Sequence, residues 1–470
     1  MSTFSPTLFA GKRFAVFGLG RNGLPVVRTL AACGASVQAW DDGEAARHAL
    51  ATHIAASLHG AGDIALWPFD TLDGFDALIL SPGIAHYLPA PHPIALMAQA
   101  AGVPVLSDAE LLYQAVRLSS SKARFAGITG TNGKSTTTAL LAHILSGSGV
   151  PVAAGGNLGP AALSLPLLPD HGVYVLEMSS YMLERLTTLR FDTACLLNLT
   201  PDHLDRHGDM AGYTRAKCEI FARQTAQDQA VIGMDDALCT ALAATLAKGP
   251  ARCETISGSN PACSYYGQDG AIWHDGVAVA QPGPALPGTH NAQNAAAALA
   301  MAHFLGVADA QAAQGVLSFP GLPHRQQRVA QCAGVTFIDD SKATNADAAA
   351  RALGCYDRLV WIAGGMAKAG GIATLAPYFG RIVHTYLIGR DAALLAATLE
   401  EHGVAYTVAE TLENAVPAAY QQASKTGVPV VLLSPACASF DQFSGFEARG
   451  ARFAQLAQEV CAQYTDETGA

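Results

Sequence analysis

A glycine-rich segment near the middle of the chain has the composition of a phosphate-binding loop. Its residues are Gly130, Thr131, Asn132, Gly133, Lys134, Ser135 and Thr136. It lies between an apolar strand predicted over residues 124–128 and a helix predicted over residues 137–145, so backbone amides and the helix N-terminus can converge on phosphate oxygens. Lys134 would neutralise the outer phosphates of a nucleotide, and the Ser135 hydroxyl could reach Mg²⁺.

One position departs from the usual GxxxxGK[ST] pattern. The first glycine position holds Ile128, and Gly127 lies one residue earlier. An ordinary glycine turn is the alternative interpretation, but such a turn has no need of the lysine and the hydroxyls that follow Gly133. We therefore expect a nucleotide-binding loop here.

A second glycine-rich turn lies near the start of the chain and fits the pattern GxGxxG. Its residues are Gly18, Leu19, Gly20, Arg21, Asn22 and Gly23. A strand is predicted on each side, over residues 13–17 and 36–40, and Asp41 follows the second strand at about the 20-residue spacing of a ribose-binding acid. Alone, this pattern predicts a dinucleotide site or only the tight packing of a helix on a strand. A dehydrogenase, however, would need no second phosphate loop.

Polar side chains follow two further predicted strands. Glu177 ends a strand predicted over residues 173–176, where a carboxylate beside a phosphate loop is well placed for Mg²⁺; a solvated loop acid is the alternative. Residues 198–207 follow another strand and contain Asp202 and His203, a set rich in ligands for metals and phosphates. Both segments are candidates for one site.

Three other polar residues have less specific settings. Lys217 lies in a predicted helix and by itself is expected to be an exposed surface lysine. Asn291 and Asn294 open an alanine-rich helix and share one of its faces. Their amides would either contact an adenine edge or cap the helix, and the sequence leaves both interpretations open.

The last third of the chain carries two loops of small and polar residues, at residues 339–345 and 433–443, each after a predicted strand. Open α/β sheets bind ligands at the carboxyl ends of their strands, although plain structural turns are the alternative. Arg325 lies just before them, in a joint around residues 321–325 that we expect to act as a hinge.

The order of these elements predicts an α/β fold with parallel sheets. We expect three domains: a Rossmann-like domain over residues 1–120, a central P-loop domain over residues 121–322 and a second Rossmann-like domain over residues 323–470. Short strands with Gly, Pro and Asn turns at residues 251–285 predict a small antiparallel patch in the central domain.

Composition limits the classes of function. The 470 residues are 50% hydrophobic and 14% charged, which is typical of globular domains. The net charge of −10 offers no general attraction to nucleic acid or to an anionic membrane. We recognise neither a signal peptide nor an apolar run long enough to span a membrane, and therefore expect a cytoplasmic protein.

The ten cysteines are scattered without a CxxC pair. Five of them lie in or beside apolar segments, where buried free thiols are common. These are Cys33, Cys195, Cys332, Cys355 and Cys437. A reducing compartment is the simplest interpretation.

The motifs occur in an order that resembles the Mur ligases of peptidoglycan synthesis over essentially the whole chain. They are the loop at residues 130–136, Gly155-Gly156-Asn157-Leu158-Gly159, Asp202-His203, His290-Asn291-Ala292-Gln293-Asn294, and residues 340–345 and 434–443. The strings Asp-Ser-Lys-Ala-Thr-Asn and Leu-Ser-Pro-Ala-Cys-Ala-Ser in the last two segments are similar to the branch that adds D-glutamate to UDP-N-acetylmuramoyl-L-alanine.

The resemblance implies a role for each candidate residue. The implied catalytic residues are Lys134, Glu177, His203 and Lys217, and the implied Mg²⁺ ligands are Ser135, Glu177, His203 and a carbamylated Lys217. The implied ATP contacts are residues 130–136, Asn291, Asn294, Arg325 and Asp340. The UDP-substrate would contact Gly18, Leu19, Gly20, Arg21, Asn22, Gly23, Asp41, Ser81, Gly83 and Asn157. D-Glutamate would contact Lys342, Thr344, Lys368, Ser439 and Phe446.

The same resemblance implies an ATP- and Mg²⁺-dependent ligase of the bacterial cytoplasm that forms an acyl phosphate. We expect it to act as a monomer, without nucleic acid or membrane insertion. Three alternatives remain. An NAD-dependent dehydrogenase would bind nicotinamide at the first domain, a nucleotide-binding regulator would release no phosphate, and a folylpolyglutamate synthase-like ligase or another Mur ligase would take a different substrate.

Overall fold

The computed structural model describes residues 3–56, 63–157, 159–368 and 370–467. These residues form three β-sheets with flanking α-helices, and parallel pairs predominate in each sheet. The predicted α/β class with parallel sheets is therefore confirmed.

The first sheet is parallel throughout its described strands and has the order β3-β2-β1-β4-β5. Its strands are β1 (Arg13–Phe17), β2 (Ser36–Trp40), β3 (Ile64–Leu66), β4 (Ala77–Leu80) and β5 (Val105–Leu106). Its helices are α1 (Gly23–Ala32), α2 (Glu44–Ala56), α3 (Pro93–Ala101) and α4 (Asp108–Leu118). The strand order reverses between β1 and β4, so a crevice opens at the carboxyl ends of these neighbours.

The second sheet has the order β14-β13-β12-β11-β10-β9-β6-β8-β7. Its strands are β6 (Arg124–Thr129), β7 (Val152–Gly156), β8 (Val173–Glu177), β9 (Thr193–Leu196), β10 (Gln229–Gly233), β11 (Arg252–Ser257), β12 (Tyr265–Gln268), β13 (Ala271–His274) and β14 (Val277–Ala280). Its helices are α5 (Lys134–Gly147), α6 (Ser180–Leu183), α7 (Leu204–His207), α8 (Met210–Cys218), α9 (Ala237–Leu246), α10 (Thr289–Phe304) and α11 (Asp309–Ser318).

The position of β6 between β8 and β9 places three connections side by side at one edge of the second sheet. They are the glycine loop after β6, the end of β8 and the segment after β9. The antiparallel patch predicted at residues 251–285 lies in this sheet, but only β12, β13 and β14 pair antiparallel, since β11 and β12 are parallel.

The third sheet has the order β15-β16-β20-β17-β18-β19, in which β15 pairs antiparallel and the other described pairs are parallel. Its strands are β15 (Gln327–Cys332), β16 (Val335–Asp339), β17 (Leu359–Gly364), β18 (Ile382–Ile388), β19 (Tyr406–Glu410) and β20 (Val430–Leu433). Its helices are α12 (Ala346–Leu353), α13 (Ala392–Glu401), α14 (Leu412–Thr426) and α15 (Phe446–Glu467).

Contacts divide the chain into two compact units. One contains residues 1–282 and 291–318, and the other contains residues 283–290 and 319–470. In the first unit a single apolar cluster extends from Phe14 and Val16 of the first sheet to Phe125 and Leu176 of the second. The boundary that we predict at residue 120 therefore separates two sheets that share a core, and the three-domain boundaries remain a prediction.

One expectation about the cysteines is wrong. Cys332 is not a free thiol, because its Sγ is bonded to that of Cys461, which joins β15 to α15. Cys33, Cys195 and Cys437 are buried free thiols as expected, whereas Cys355 is only partly buried. Among the described residues, every helix is too short or too polar to cross a bilayer.

Candidate active site

The glycine loop after β6 has glycine where its backbone requires it. Gly130 and Gly133 have φ values of +146° and +86°, in a region that other residues rarely adopt. Gly127 serves another purpose, since a Cβ there would come within 2.7 Å of the Phe191 ring. This explains the departure at Ile128: its position lies in a buried strand whose conformation needs no glycine.

Helix α5 begins at Lys134 and not at residue 137 as predicted, so Lys134, Ser135 and Thr136 form its first turn. The backbone amides of a first turn have no partner within their own helix, and they favour anions. The Lys134 Nζ lies 2.9 Å from the Gly130 carbonyl oxygen and 2.7 Å from that of Thr131, and it donates to both. The ammonium is therefore held over the loop.

Lys217 also lies against the glycine loop. Its side chain is buried, whereas its sequence context alone predicts an exposed lysine. Its Nζ donates to the Gly130 carbonyl oxygen at 2.9 Å, the same acceptor that Lys134 uses. Burial is the main cause of a pKa of Lys217 well below its ordinary value, and the charge of Lys134 lowers it further. The carboxylates of Asp202 and Glu177 oppose this shift only in part.

The segment after β9 fixes the shape of the glycine loop. The Asn198 side chain accepts from the Asn132 amide at 2.9 Å and donates to the Asn132 carbonyl at 3.1 Å. The Thr131 hydroxyl lies 3.1 Å from the Thr200 carbonyl oxygen and 3.3 Å from the Tyr213 hydroxyl. These bonds pre-form the loop, which reduces the ordering cost of binding a phosphate.

The Glu177 carboxylate at the end of β8 is buried and only half satisfied. Its Oε1 accepts from the Asn157 side-chain amide at 2.8 Å. Its Oε2 is buried and finds no hydrogen-bond partner among the described residues. A buried carboxylate oxygen in this state costs free energy unless a cation or donor reaches it. Within the motif that contains Asn157, Leu158 lies outside the described residues.

His203 begins the turn at α7 in a left-handed conformation, with φ of +53°. Its Nε2 lies 3.5 Å from the Asp202 carboxylate. Burial lowers the pKa of His203, and the charges of Lys217 and Lys134 add to this effect, although Asp202 opposes it. A neutral imidazole is the form that can ligate a metal ion. No three His, Cys, Asp or Glu side chains form a metal cluster within the described ranges.

One of the two asparagines of α10, Asn294, packs against the glycine loop, and the other, Asn291, bonds to it. The Asn294 amide donates to the Asn291 side-chain oxygen at 3.0 Å, and its own oxygen accepts from the Thr137 hydroxyl at 3.2 Å. A Cβ at Gly133 would come within 2.3 Å of that same oxygen. These contacts place the Asn294 side chain between Gly133 of the loop and Thr137 of α5, and its predicted contact with ATP stays a prediction.

The N-terminal glycine turn is tight and open on one side. A Cβ at Gly23 would come within 1.8 Å of the Gly18 carbonyl oxygen, whereas a Cβ at Gly20 would meet no atom within 4 Å. The Asp41 carboxylate accepts from the Leu19 amide at 2.6 Å and from the Gly43 amide at 2.7 Å. The structure thus brings Asp41 to the turn. Arg21 and Asn22 lie beside Gly20 in the same turn.

Residues 81–84, which follow β4, pack against this turn, and we call them the β4 loop. A Cβ at Gly18 would come within 2.4 Å of the Ser81 Cβ. Two arginines of the second sheet's connections hold the loop by its carbonyl oxygens. Arg185 donates to Leu80, Ser81 and Ile84, and Arg206 donates to Gly83 and Ile84.

In the second compact unit, Asp340 is buried after β16. It accepts from the Ser434 hydroxyl at 2.7 Å and from the Gln326 amide at 3.2 Å. Burial raises the pKa of Asp340 to about 7, although the Ser434 hydrogen bond and the charge of Arg325 lower it in part. His324 and Gln326, on either side of Arg325, have left-handed φ values of +61° and +45°.

The candidate D-glutamate residues lie on three neighbouring loops of this unit. The Lys342 Nζ lies 4.2 Å from the centre of the Phe446 ring, and the Thr344 amide donates to the Lys342 carbonyl. Met366 and Ala438 pair as an isolated β-bridge, which joins the loop of Lys368 to that of Ser439. The structure therefore gathers these five predicted residues at one edge of the third sheet.

Arg449 of α15 holds these loops together. It is 1% exposed, and its guanidinium donates to the Ser341 hydroxyl at 2.9 Å, to the Ser341 carbonyl at 2.8 Å and to the Cys437 carbonyl at 3.0 Å. A longer bond of 3.4 Å reaches the Gly364 carbonyl. One side chain thus contacts the ends of β16, β17 and β20.

Sequence reasoning missed three residues that shape these sites, which are Arg185, Tyr213 and Arg449. Asn198 and Arg206 fall within the candidate segment 198–207, but the sequence did not single them out. The arginines carry no motif, since each donates to backbone carbonyls whose positions depend on the tertiary fold.

Comparisons with known proteins agree with this geometry. A model of the Mur ligase middle domain matches residues 128–302, and a model of the Mur ligase glutamate ligase domain matches residues 324–437. The chain is 49% identical over 463 residues to the UDP-N-acetylmuramoylalanine–D-glutamate ligase of Paramagnetospirillum magneticum, covering 97% of this chain and 98% of that relative. It is 44% identical over 467 residues to the ligase of that name in Rhodospirillum rubrum, covering 96% and 95%.

Solved structures share the fold at low sequence identity. The UDP-N-acetylmuramate-alanine ligase of Thermotoga maritima has a TM-score of 0.59 and 18% identity, covering 95% of this chain and 99% of that one. MurF of Acinetobacter baumannii has a TM-score of 0.58 and 19% identity, covering 90% and 91%. From the domain matches and the identity along nearly its full length, the chain belongs to the Mur ligase family.

Proposed function

We propose that the chain is an ATP-dependent ligase that joins D-glutamate to UDP-N-acetylmuramoyl-L-alanine, a step of peptidoglycan precursor synthesis. The observation that carries the proposal is the convergence of Lys134, the buried Lys217 and the half-satisfied Glu177 carboxylate around one phosphate loop. The relatives named for this activity support the choice of substrates.

ATP would bind with its outer phosphates over residues 130–136. The amides of the first turn of α5 would contact phosphate oxygens, and the Lys134 ammonium would leave the carbonyls of Gly130 and Thr131 to follow the γ-phosphate. Asn294 keeps the loop in shape from behind, through Gly133 and Thr137. The family resemblance supports contacts of Arg325 and Asp340 with the nucleotide as well.

The residues present fit a Mg²⁺ ion. The Glu177 Oε2 is a buried oxygen that lacks a partner among the described residues, and the Ser135 hydroxyl and a neutral His203 imidazole would add two further ligands. The ion would stabilise negative charge on the transferred phosphoryl group. Since no ready-made cluster of three acidic, His or Cys ligands exists in the described part of the chain, a further oxygen ligand is needed.

We propose that carbamylation of Lys217 supplies that ligand. An ammonium at this position would repel a cation, whereas burial lowers the pKa of Lys217 and favours the neutral amine that attacks CO₂. The nitrogen forms a bond to the carbon of CO₂ and loses a proton, which yields a carbamate with two oxygens. Two ammonium groups beside the Gly130 carbonyl repel each other, whereas the negative carbamate on Lys217 would attract the Lys134 ammonium.

The chemistry that follows is carboxylate activation. A carboxylate is a poor electrophile, so an oxygen of the L-alanyl carboxylate attacks the γ-phosphorus of ATP and ADP departs, giving an acyl phosphate. The amine of D-glutamate then attacks the acyl carbon, loses a proton and expels inorganic phosphate. Lys134 neutralises charge in both steps, because several anions meet at this point.

The other binding roles follow from the same placement. The turn at residues 18–23, with Ser81 and Gly83, would receive the diphosphate of the UDP-substrate, and Asp41 would lie near the uridine. Asn157 would lie near the alanyl carboxylate, because it contacts Glu177. D-Glutamate would contact Lys342, Thr344, Lys368, Ser439 and Phe446 in the second unit.

A phosphate-release assay tests the proposal. The full chain is given ATP, Mg²⁺ and UDP-N-acetylmuramoyl-L-alanine with a panel of amino acids of both hands. We expect phosphate release with D-glutamate, none without the UDP-substrate, and little with L-glutamate. Release that is independent of the amino acid, or that prefers another amino acid, would overturn the assignment.

A further inference from the structure

The β4 loop, residues 81–84, is held by two guanidinium groups that come from the connections of the second sheet. The carbonyl oxygens of Leu80, Ser81 and Ile84 accept from Arg185, and those of Gly83 and Ile84 accept from Arg206. Carbonyl oxygens beside a diphosphate site would repel the ligand. Because the guanidinium groups bind these carbonyl oxygens, their repulsion of an anionic ligand next to Gly18 is reduced.

Arg206 differs from Arg185 in what else it contacts. It lies in α7, three residues after His203, and its amide donates to the His203 carbonyl at 3.0 Å. Its guanidinium also stacks over the Tyr181 ring at 4.5 Å, and that ring lies 5.2 Å from the His203 imidazole. Arg206 therefore contacts the surroundings of His203 and the β4 loop at the same time.

The two hydrogen bonds from Arg206 to the β4 loop hold that loop at a fixed distance from α7. The Arg206 Nη1 donates to the Gly83 carbonyl at 3.0 Å, and its Nη2 donates to the Ile84 carbonyl at 3.1 Å. A planar guanidinium donates to the two carbonyls from two separate nitrogens, a geometry that neither an ammonium nor the single nitrogen of an amide reproduces. The two ends of a long substrate must be held at a fixed separation if the reacting carboxylate is to be aligned.

We infer that Arg206 is a positioning residue for the UDP-substrate. It sets the distance between the diphosphate turn at residues 18–23 and the site around His203 where the carboxylate reacts. This inference rests on the proposed function, because it takes the two ends of that substrate as given. It assigns no contact with reacting atoms to Arg206.

The test uses Arg206→Gln, which is feasible because Arg206 is only partly buried, whereas Arg185 is 2% exposed. Arg223→Gln is the matched control. Arg223 also donates to two backbone carbonyls of the same unit, and these belong to Leu189 and Glu219 and not to the β4 loop.

We expect Arg206→Gln to raise the KM for the UDP-substrate by roughly tenfold or more, with a smaller fall in kcat. The KM values for ATP and D-glutamate should stay within about twofold of the parent, and Arg223→Gln should leave all three KM values within that range. Calorimetric binding of UDP-N-acetylmuramoyl-L-alanine, without turnover, should show the same loss for Arg206→Gln alone.

The outcomes separate the two claims. If the parent neither binds the UDP-substrate nor ligates D-glutamate, the proposed function fails. If the parent does both and Arg206→Gln binds the UDP-substrate as tightly, or loses affinity for all three substrates equally, the positioning role of Arg206 is overturned.

Discussion

The two groups of candidate residues are held in different ways. Around β6, β8 and β9 the reactive side chains lie close together on one loop: Lys134 and Lys217 share the Gly130 carbonyl oxygen as an acceptor, and the charges of Lys134 and Glu177 both act on the pKa of Lys217. At the edge of the third sheet, the candidate residues lie on separate loops, which one buried arginine, Arg449, ties together from behind.

The difference suggests two kinds of sensitivity. In the first group, a substitution removes a charge or a ligand from the reaction itself, so turnover should fall more than affinity. In the second group, Arg449 supports the loops that would bind the amino acid and does not itself belong to the candidate contacts. Its substitution should therefore change the affinity for the amino acid and the stability of the fold together. Three substitutions test this contrast, from the largest expected effect to the smallest.

Lys134→Ala should lower kcat by roughly 10³-fold or more while the fold is retained, because neutralisation of the transferred phosphoryl group is lost. Phosphate release by the pure variant measures the loss, and the unfolding midpoint checks the fold. The exposed Lys122→Ala is the control. Near-normal turnover of Lys134→Ala would contradict the assignment of residues 130–136 as a phosphate-binding loop.

Lys217→Ala should lower kcat by about 100-fold or more, since a Mg²⁺ ligand is lost. Short-chain carboxylates added to this variant should restore part of the activity by replacing the carbamate oxygens, and they should have no effect on the exposed Lys248→Ala. A second measurement is the carbamate signal in carbon-13 NMR with labelled bicarbonate. Full activity of Lys217→Ala without additives would contradict the carbamate role.

Arg449→Lys should have the smallest effect on kcat and a different profile. An ammonium cannot reach the several acceptors that the guanidinium bonds, so we expect a loss of about 2–4 kcal/mol in the free energy of unfolding and a KM for D-glutamate that rises roughly tenfold. The KM for ATP should change little.

The control for Arg449→Lys is Arg452→Lys, one turn further along α15, where the guanidinium makes an exposed ion pair with Glu413. It should match the parent. If Arg449→Lys instead lowers kcat alone, with an unchanged KM for D-glutamate and unchanged stability, the contrast between the two groups is wrong.

Local patterns in the sequence predicted the parts of the fold that depend on neighbouring residues. The glycine loop, Glu177 and the His203 segment each follow an apolar strand, and the sheet brings them together as expected. The start of α5 at Lys134 was missed because a glycine, Gly133, takes the cap position without a side-chain signal.

The rest depends on contacts that no local pattern encodes. The local sequence did not predict the burial of Lys217, since a lysine in a short polar helix gives no sign that the helix packs under the phosphate loop; only the family resemblance implied a place for it in the site. Arg206 and Arg449 bond backbone carbonyls more than 80 residues away in sequence, and the Cys332–Cys461 pair joins residues separated by 129. Such pairings follow only from the tertiary fold.

The central claim is that a carboxylate is activated by phosphoryl transfer at the loop of residues 130–136. The most direct test gives the enzyme UDP-N-acetylmuramoyl-L-alanine labelled with oxygen-18 in the alanyl carboxylate, together with ATP, Mg²⁺ and D-glutamate. Mass spectrometry of the released phosphate should find one labelled oxygen per turnover, because the carboxylate oxygen that attacks the γ-phosphorus leaves with it. Unlabelled phosphate alongside formation of the amide product would contradict the acyl-phosphate account.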